Sequence, residues 1–122
     1  MVVAYGAMIE SSPHPFILEG APRDLGRIDG DEVLETQVEV WNVRRQHLLL
    51  EVVLSGCGCD DRSRQIIEVQ PFSRRPFTIV TDPSHLAVGK HIATVQFRGL
   101  IGDVPFNSNH EYQFTVHREI ND

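Results

Sequence analysis

The dominant rhythm along this chain is two residues, not 3.6. In Leu34–Asn42 the even positions are mostly apolar and the odd ones mostly polar. That alternation predicts a half-buried strand with Leu34, Val38 and Val40 facing inward. Residues 48–54 form a second predicted strand, with Leu48, Leu50, Val52 and Leu54 on one side and Glu51 on the other. Residues 76–80, with Phe77 and Ile79, make a third, and residues 91–98, with Ala93, Val95 and Phe97, a fourth. Residues 111–118 make a fifth, in which Tyr112, Phe114 and Val116 alternate with Gln113, Thr115 and His117. Weaker strands are expected at 15–19, 25–28 and 66–69.

Turn signals punctuate these runs: Asp29-Gly30, Gly56/Gly58, Asp82-Pro83-Ser84, Val88-Gly89, Arg98-Gly99, Gly102-Asp103 and Asn107-Ser108-Asn109. No stretch reads as an amphipathic helix; residues 85–87 form at most a single turn after Asp82-Pro83. Short strands at such spacing predict an all-β fold, an immunoglobulin-like β-sandwich of about seven or eight mostly antiparallel strands. The expected domain spans residues 14–119, behind a loose N-terminal arm at 1–13. Its core should include Leu25, Ile28, Leu34, Val38, Val40, Leu48, Leu50, Phe77, Ile79, Val95, Phe97, Tyr112, Phe114 and Val116.

Size and composition narrow the classes. A chain of 122 residues, 41% apolar and 23% charged, suits one globular domain. The net charge of −6 disfavours nucleic acid or an anionic membrane as partner. Arginine greatly outnumbers the single Lys90, but Arg44-Arg45, Arg62/Arg64 and Arg74-Arg75 fall in turn-like segments where solvated charge is the default. No segment approaches the roughly 20 apolar residues that span a bilayer, so no membrane insertion by this segment is expected. Residues 1–9 lack the basic and continuous apolar regions of a signal peptide, and the first Lys or Arg is Arg23. A cytoplasmic location follows if Met1 is the true start, a periplasmic or cell-envelope one if a leader or anchor was removed.

The only two cysteines, Cys57 and Cys59, lie one residue apart in Ser55-Gly56-Cys57-Gly58-Cys59-Asp60-Asp61. Three readings are open. Two thiolates at this spacing suit a soft metal, with Asp60, Asp61, His85 or His91 completing the ligands. Gly58 also lets the backbone tighten toward a strained, easily reduced disulfide. The third reading packs one cysteine into the core at a strand end, with the glycines permitting the turn. The six histidines show no metal-ligand spacing and read as surface or strand-edge residues. Ser84-His85 beside Asp82 has triad residue types without a nucleophile elbow. The acidic pairs lack a Ca²⁺-loop pattern. Trp41 falls on the polar face with Glu35, Gln37 and Glu39. There it is either an interaction residue, covered by the arm or by a partner, or a ring shielded by cross-strand neighbours.

One family shares this order of motifs. Asp24-Leu25-Gly26-Arg27-Ile28-Asp29-Gly30-Asp31, the strand ending in Val40-Trp41-Asn42, Leu48-Leu49-Leu50 and the Cys57-Gly58-Cys59 turn resemble a bacterial immunoglobulin-like domain family with a Ser-Cys-Gly-Cys turn. Val69-Gln70-Pro71 and Phe77-Thr78-Ile79 look like its next turn and strand. Asn42-Val43-Arg44, Pro71-Phe72 and the extra Gly56 depart from its turns. That family is similar to ASH/Hydin and major-sperm-protein domains. The resemblance implies a non-enzymatic binding or scaffolding module with no cofactor and a protein partner reached through sheet edges or loops. The alternative function is a thiol-based redox or metal-binding protein using Cys57 and Cys59.

Overall fold

The computed structural model describes residues 14–58 and 64–118. Eight strands appear in chain order: β1 (Ile17–Glu19), β2 (Asp24–Asp29), β3 (Leu34–Asn42), β4 (Leu48–Ser55), β5 (Gln65–Val69), β6 (Ser73–Thr81), β7 (Gly89–Ile101) and β8 (Val104–His117). A single 3-10 turn, Pro83–His85, follows β6, with the Asp82 carboxylate accepting from the Ser84 amide. The strands form a three-stranded sheet, β1-β3-β6, and a five-stranded sheet, β2-β8-β7-β4-β5. Every pairing is antiparallel except β2 with β8. This is the expected all-β, immunoglobulin-like sandwich.

Period-two burial puts one face of each sheet into a shared core. Val38, Val40, Phe77 and Ile79 enter from the three-stranded sheet; Leu48, Leu50, Val52, Val95, Phe97, Tyr112, Phe114 and Val116 enter from the five-stranded one. Leu25 and Leu34 pack against this cluster only in part. Phe16, Ile28, Leu54, Cys57, Ile67, Val69 and Ala93 complete it. Phe97 is its aromatic centre, with rings 5.2 Å from His14, 5.2 Å from Phe16 and 6.0 Å from Phe77, all edge-on.

Buried polar groups join the two sheets. The Tyr112 hydroxyl on β8 meets Thr81 Oγ1 on β6 at 2.8 Å, and burial pushes the phenol pKa up. The Asn42 amide donates to the carbonyls of Gln46, Val69 and Gln70, while its oxygen accepts from the Arg44 amide. No side-chain polar atom buried among the described residues lacks a partner.

Two expected turns are strand instead. Arg98-Gly99 lies within β7, and Asn107-Ser108-Asn109 within β8, which begins at Val104 and not at residue 111. Glycine is required at 99 because a Cβ there would lie 1.8 Å from the Leu49 carbonyl oxygen. The chain reverses only at Gly102-Asp103, so the β7–β8 hairpin runs unbroken from Gly89↔Val116 to Ile101↔Val104. Arg74 and Arg75 likewise belong to β6, which starts at Ser73.

Phe97→Ala is expected to lower unfolding free energy by about 3–5 kcal/mol, because it leaves a cavity where three rings converge. Gln37→Ala on the outer face should stay within about 0.5 kcal/mol of wild type. Urea denaturation of both variants checks the contrast.

Candidate interaction groove

The cysteine turn closes β4 against the core. Cys57 is fully buried, and its carbonyl accepts from the Asp82 amide at 2.9 Å. Both flanking glycines have positive φ, 76° at Gly56 and 81° at Gly58, and a Cβ at Gly58 would strike the Asp82 carbonyl oxygen. The Gly-Cys-Gly order is therefore a packing requirement. Cys57 is a disulfide cysteine, so its sulfur is not a thiolate ligand. Cys59, Asp60 and Asp61 lie outside the described residues, as does the arm at 1–13. His85, exposed, sits in the 3-10 turn, while the His91 ring donates to the Ala87 carbonyl and stacks on Phe114. No cluster of three or more metal-ligating side chains occurs among the described residues.

Trp41 sits on the outer face of the smaller sheet, opposite Ile17 on β1 and Arg74 on β6. Its indole N–H donates to Glu19 Oε1 at 3.1 Å, and the Arg74 guanidinium lies 4.9 Å from the ring centroid. Cross-strand neighbours thus cover it in part.

Backbone geometry marks a different place. Antiparallel pairing directs the amide and carbonyl of alternate residues to alternate sides. The Gln113 amide donates to the Arg23 carbonyl on the β2 side, so the backbones of Asn107, Asn109 and Glu111 also point away from β7. β2 covers β8 only from Gln113 to His117. Among the described residues no strand pairs with the outer side of β8 before that point. The corresponding edge of β6 is blunted. Pro76, opposite Glu39, has no amide to offer, and the Thr78 carbonyl already accepts from Gln65 Nε2 at 2.8 Å.

Residues 14–23 arch beside the open stretch of β8. The arch begins where His14 Nδ1 meets Ser108 Oγ at 2.7 Å, leaves to pair β1 with β3, and returns where His110 Nε2 donates to the Pro22 carbonyl at 2.6 Å. Arg44 Nε donates to the Pro15 carbonyl and fixes the outward leg. A groove of about 780 Å³ lies between arch and strand, lined by His14, Phe16, Leu18, Ala21, Arg23, Asn109, His110 and Glu111 among others. His14 is half-buried, stacked on Phe16 at 5.3 Å. Burial, and then the neighbouring His110, hold its pKa below the ordinary histidine value. This corrects the expectation that every histidine is a surface or strand-edge residue. Ser108 and His14 stand at nucleophile–base distance, but Ser108 is buried and the bond anchors the arch. His110, in mid-strand, and His117 lie on opposite faces of β8, with His117 accepting from Arg27 at Nδ1.

No protein-family model matches the chain, and no curated protein matches its sequence. Among solved structures it is similar to a family 123 glycoside hydrolase from Clostridium perfringens, with a TM-score of 0.60 and 7% identity over 86% of this chain and 28% of that one. At that identity the likeness shows the fold alone, and the chain spans little more than a quarter of that enzyme's length. AggA, the major subunit of aggregative adherence fimbriae type I from Escherichia coli, aligns with a TM-score of 0.42 and 7% identity over 86% of this chain and 95% of that one.

A histidine held neutral by burial binds fewer protons folded than unfolded, so stability rises with pH across the window. The contribution of His14 is present above the ordinary value of about 6.5 and is lost as pH falls through its lower folded value. His14→Gln, which can keep a bond to Ser108, should flatten the pH dependence of stability below about pH 6.5. Urea titrations of wild type and variant between about pH 5 and 8 measure it.

Proposed function

We propose that this chain is a non-enzymatic structural or protein-interaction module that works through a sheet edge and the adjoining arch. The observation that carries the reading is the open stretch of β8, where Asn107, Asn109 and Glu111 present outward backbone groups beside a groove. Strand addition to such an edge supplies affinity through main-chain bonds and selectivity through alternate side-chain pockets. The resemblance of residues 24–59 to the bacterial immunoglobulin-like family similar to ASH/Hydin and major-sperm-protein domains supports the same reading, since those are binding or scaffolding modules. Trp41 belongs to a second, lesser contact surface in this view. The partner is a protein.

Asn109→Pro deletes one outward amide and leaves the β7 ladder intact, in the register that Pro105 already occupies. In affinity capture from source cells, it should reduce the specifically retained protein about ten-fold, with Glu68→Ala, exposed on β5, as unaffected control. Melting temperatures confirm folding of both, and Asn107→Pro serves if Asn109→Pro does not fold. A retained set indifferent to the proline overturns the reading.

A second reading has one observation in its favour: Cys57 is a disulfide cysteine. A redox role requires that bond to open and close reversibly in the folded state. Thiol titration of native protein, with and without mild reductant, should release no reactive thiol until the chain unfolds, because Cys57 is fully buried. Reversible release from the folded chain would install the redox reading instead.

A further inference from the structure

The loops of the sandwich gather at two ends of opposite charge. At one end lie the β3–β4 loop at 43–47, the β5–β6 turn at 70–72 and the β7–β8 turn at Gly102-Asp103. The Asn42 amide ties the first two by donating to the carbonyls of Gln46, Val69 and Gln70, and the Gly102 amide donates to the His47 carbonyl. Arg44, Arg45, Arg74 and Arg75 are all exposed here, and Asp103 is the one acid in the three turns. At the far end of the same strands lie the β2–β3 turn and the β6–β7 loop. Arg118 joins them, its guanidinium donating to the carbonyls of Pro83, Ser84 and Leu86 beside Gly30. Asp29, Asp31 and Glu32 are exposed at this end, with Asp82 in the neighbouring loop.

Both ends also expose apolar side chains: Val43, Phe72 and Val104 at the basic end, Val33 and Val88 at the acidic one. Phe72 has a backbone φ of 54°, a left-handed conformation that favours glycine, yet it carries a large ring exposed at 69%. An aromatic held at that cost and turned to solvent points to a contact beyond the single chain.

We infer that the basic end of one copy of this chain docks on the acidic end of the next, so that copies associate head to tail. The surfaces are distinct from the β8 edge, and the inference goes beyond that reading. Charge complementarity selects the occupant. A net charge of −6 makes two copies repel when they meet side by side, and opposite ends are where arginines come against carboxylates. Arg45 and Arg75 at one end, and Asp31 and Glu32 at the other, form no ion pair with any described residue, so their charges are left for a neighbour. A planar guanidinium takes a carboxylate through two parallel bonds. Phe72 and Val43 then cover Val33 and Val88 and keep water from the centre of the contact. Because the two faces lie at opposite ends of the molecule, the contact is heterologous and extends into rows instead of closing as a dimer.

Sedimentation equilibrium of the full chain tests this, from about 10 µM to about 500 µM in about 20 mM salt. The weight-average mass is expected to rise above that of the monomer with concentration, and the association constant to fall about ten-fold or more in about 0.5 M salt. Arg45→Glu/Arg75→Glu and Asp31→Lys/Glu32→Lys should each stay monomeric, and their equimolar mixture should associate, because each variant keeps one native end. Phe72→Gly, which relieves the left-handed residue, should weaken association about ten-fold without lowering the melting temperature. Melting temperatures confirm folding, and Arg45→Gln and Glu32→Gln replace a double reversal that does not fold, each weakening association about three-fold or more. Four results overturn the inference: a wild-type chain monomeric throughout at low salt; association unchanged by added salt, by either reversal or by Phe72→Gly; folded reversal variants whose mixture stays monomeric; or association lost in Asn109→Pro, which would assign it to the β8 edge.

Discussion

Every amide and carbonyl of a strand needs a partner on the side it faces, and β8 is longer than one of its neighbours. Its 14 residues are matched by the 13 of β7 but by only 6 in β2. The inward half of its hydrogen bonding is complete, and the outward half stops near Gln113. The arch of residues 14–23 exists because the chain leaves this lane to pair β1 with β3 and then comes back. Phe16 goes into the core on that excursion, packing with Phe97 and Phe106, and so ties the arch to the hydrophobic effect as well as to backbone geometry.

The alternation in Leu34–Asn42 was legible because one face is buried and the other wet along the full strand, and β3 has those bounds. Three features were not. Gly99 reads as a turn residue, yet it is there because the Leu49 carbonyl comes too close for a side chain. Asn107-Ser108-Asn109 also reads as a turn. The two asparagines face outward on a solvated edge, where turn-forming residues cost a strand little, and Ser108 is buried with His14 as its partner. Phe106, Ser108, His110, Tyr112, Phe114 and Val116 occupy every second position, so the period continued where the local turn chemistry appeared to end it. The pairing of His14 with Ser108 joins residues 94 apart, and no local pattern carries a contact of that range.

The two long edges of the sandwich have opposite character. β6 shows the devices that keep an edge from recruiting a strand: Pro76 without an amide, a carbonyl at Thr78 taken by Gln65, and charged Arg74 and Arg75 at its start. Along β8 only Pro105 interrupts the row. The open stretch of β8 therefore favours strand addition there over the blunted edge of β6.

A cysteine pair or a lone tryptophan draws the eye in a sequence because side chains are what a sequence spells out. The groups on offer along β8 are main-chain groups, and every residue except proline carries the same ones. No motif can announce them. What distinguishes Asn107, Asn109 and Glu111 from the other residues of the hairpin is the length of the strand next door. That length is set by where the chain re-enters this sheet from the smaller one, at the Gly20 to Arg23 crossing. Gly20 takes the crossing at φ 84°, with the Gln37 carbonyl oxygen 3.2 Å from the position of a Cβ, a place that favours glycine. The open edge of β8 is thus a property of topology, held in place by one glycine, two imidazoles and a buried phenylalanine.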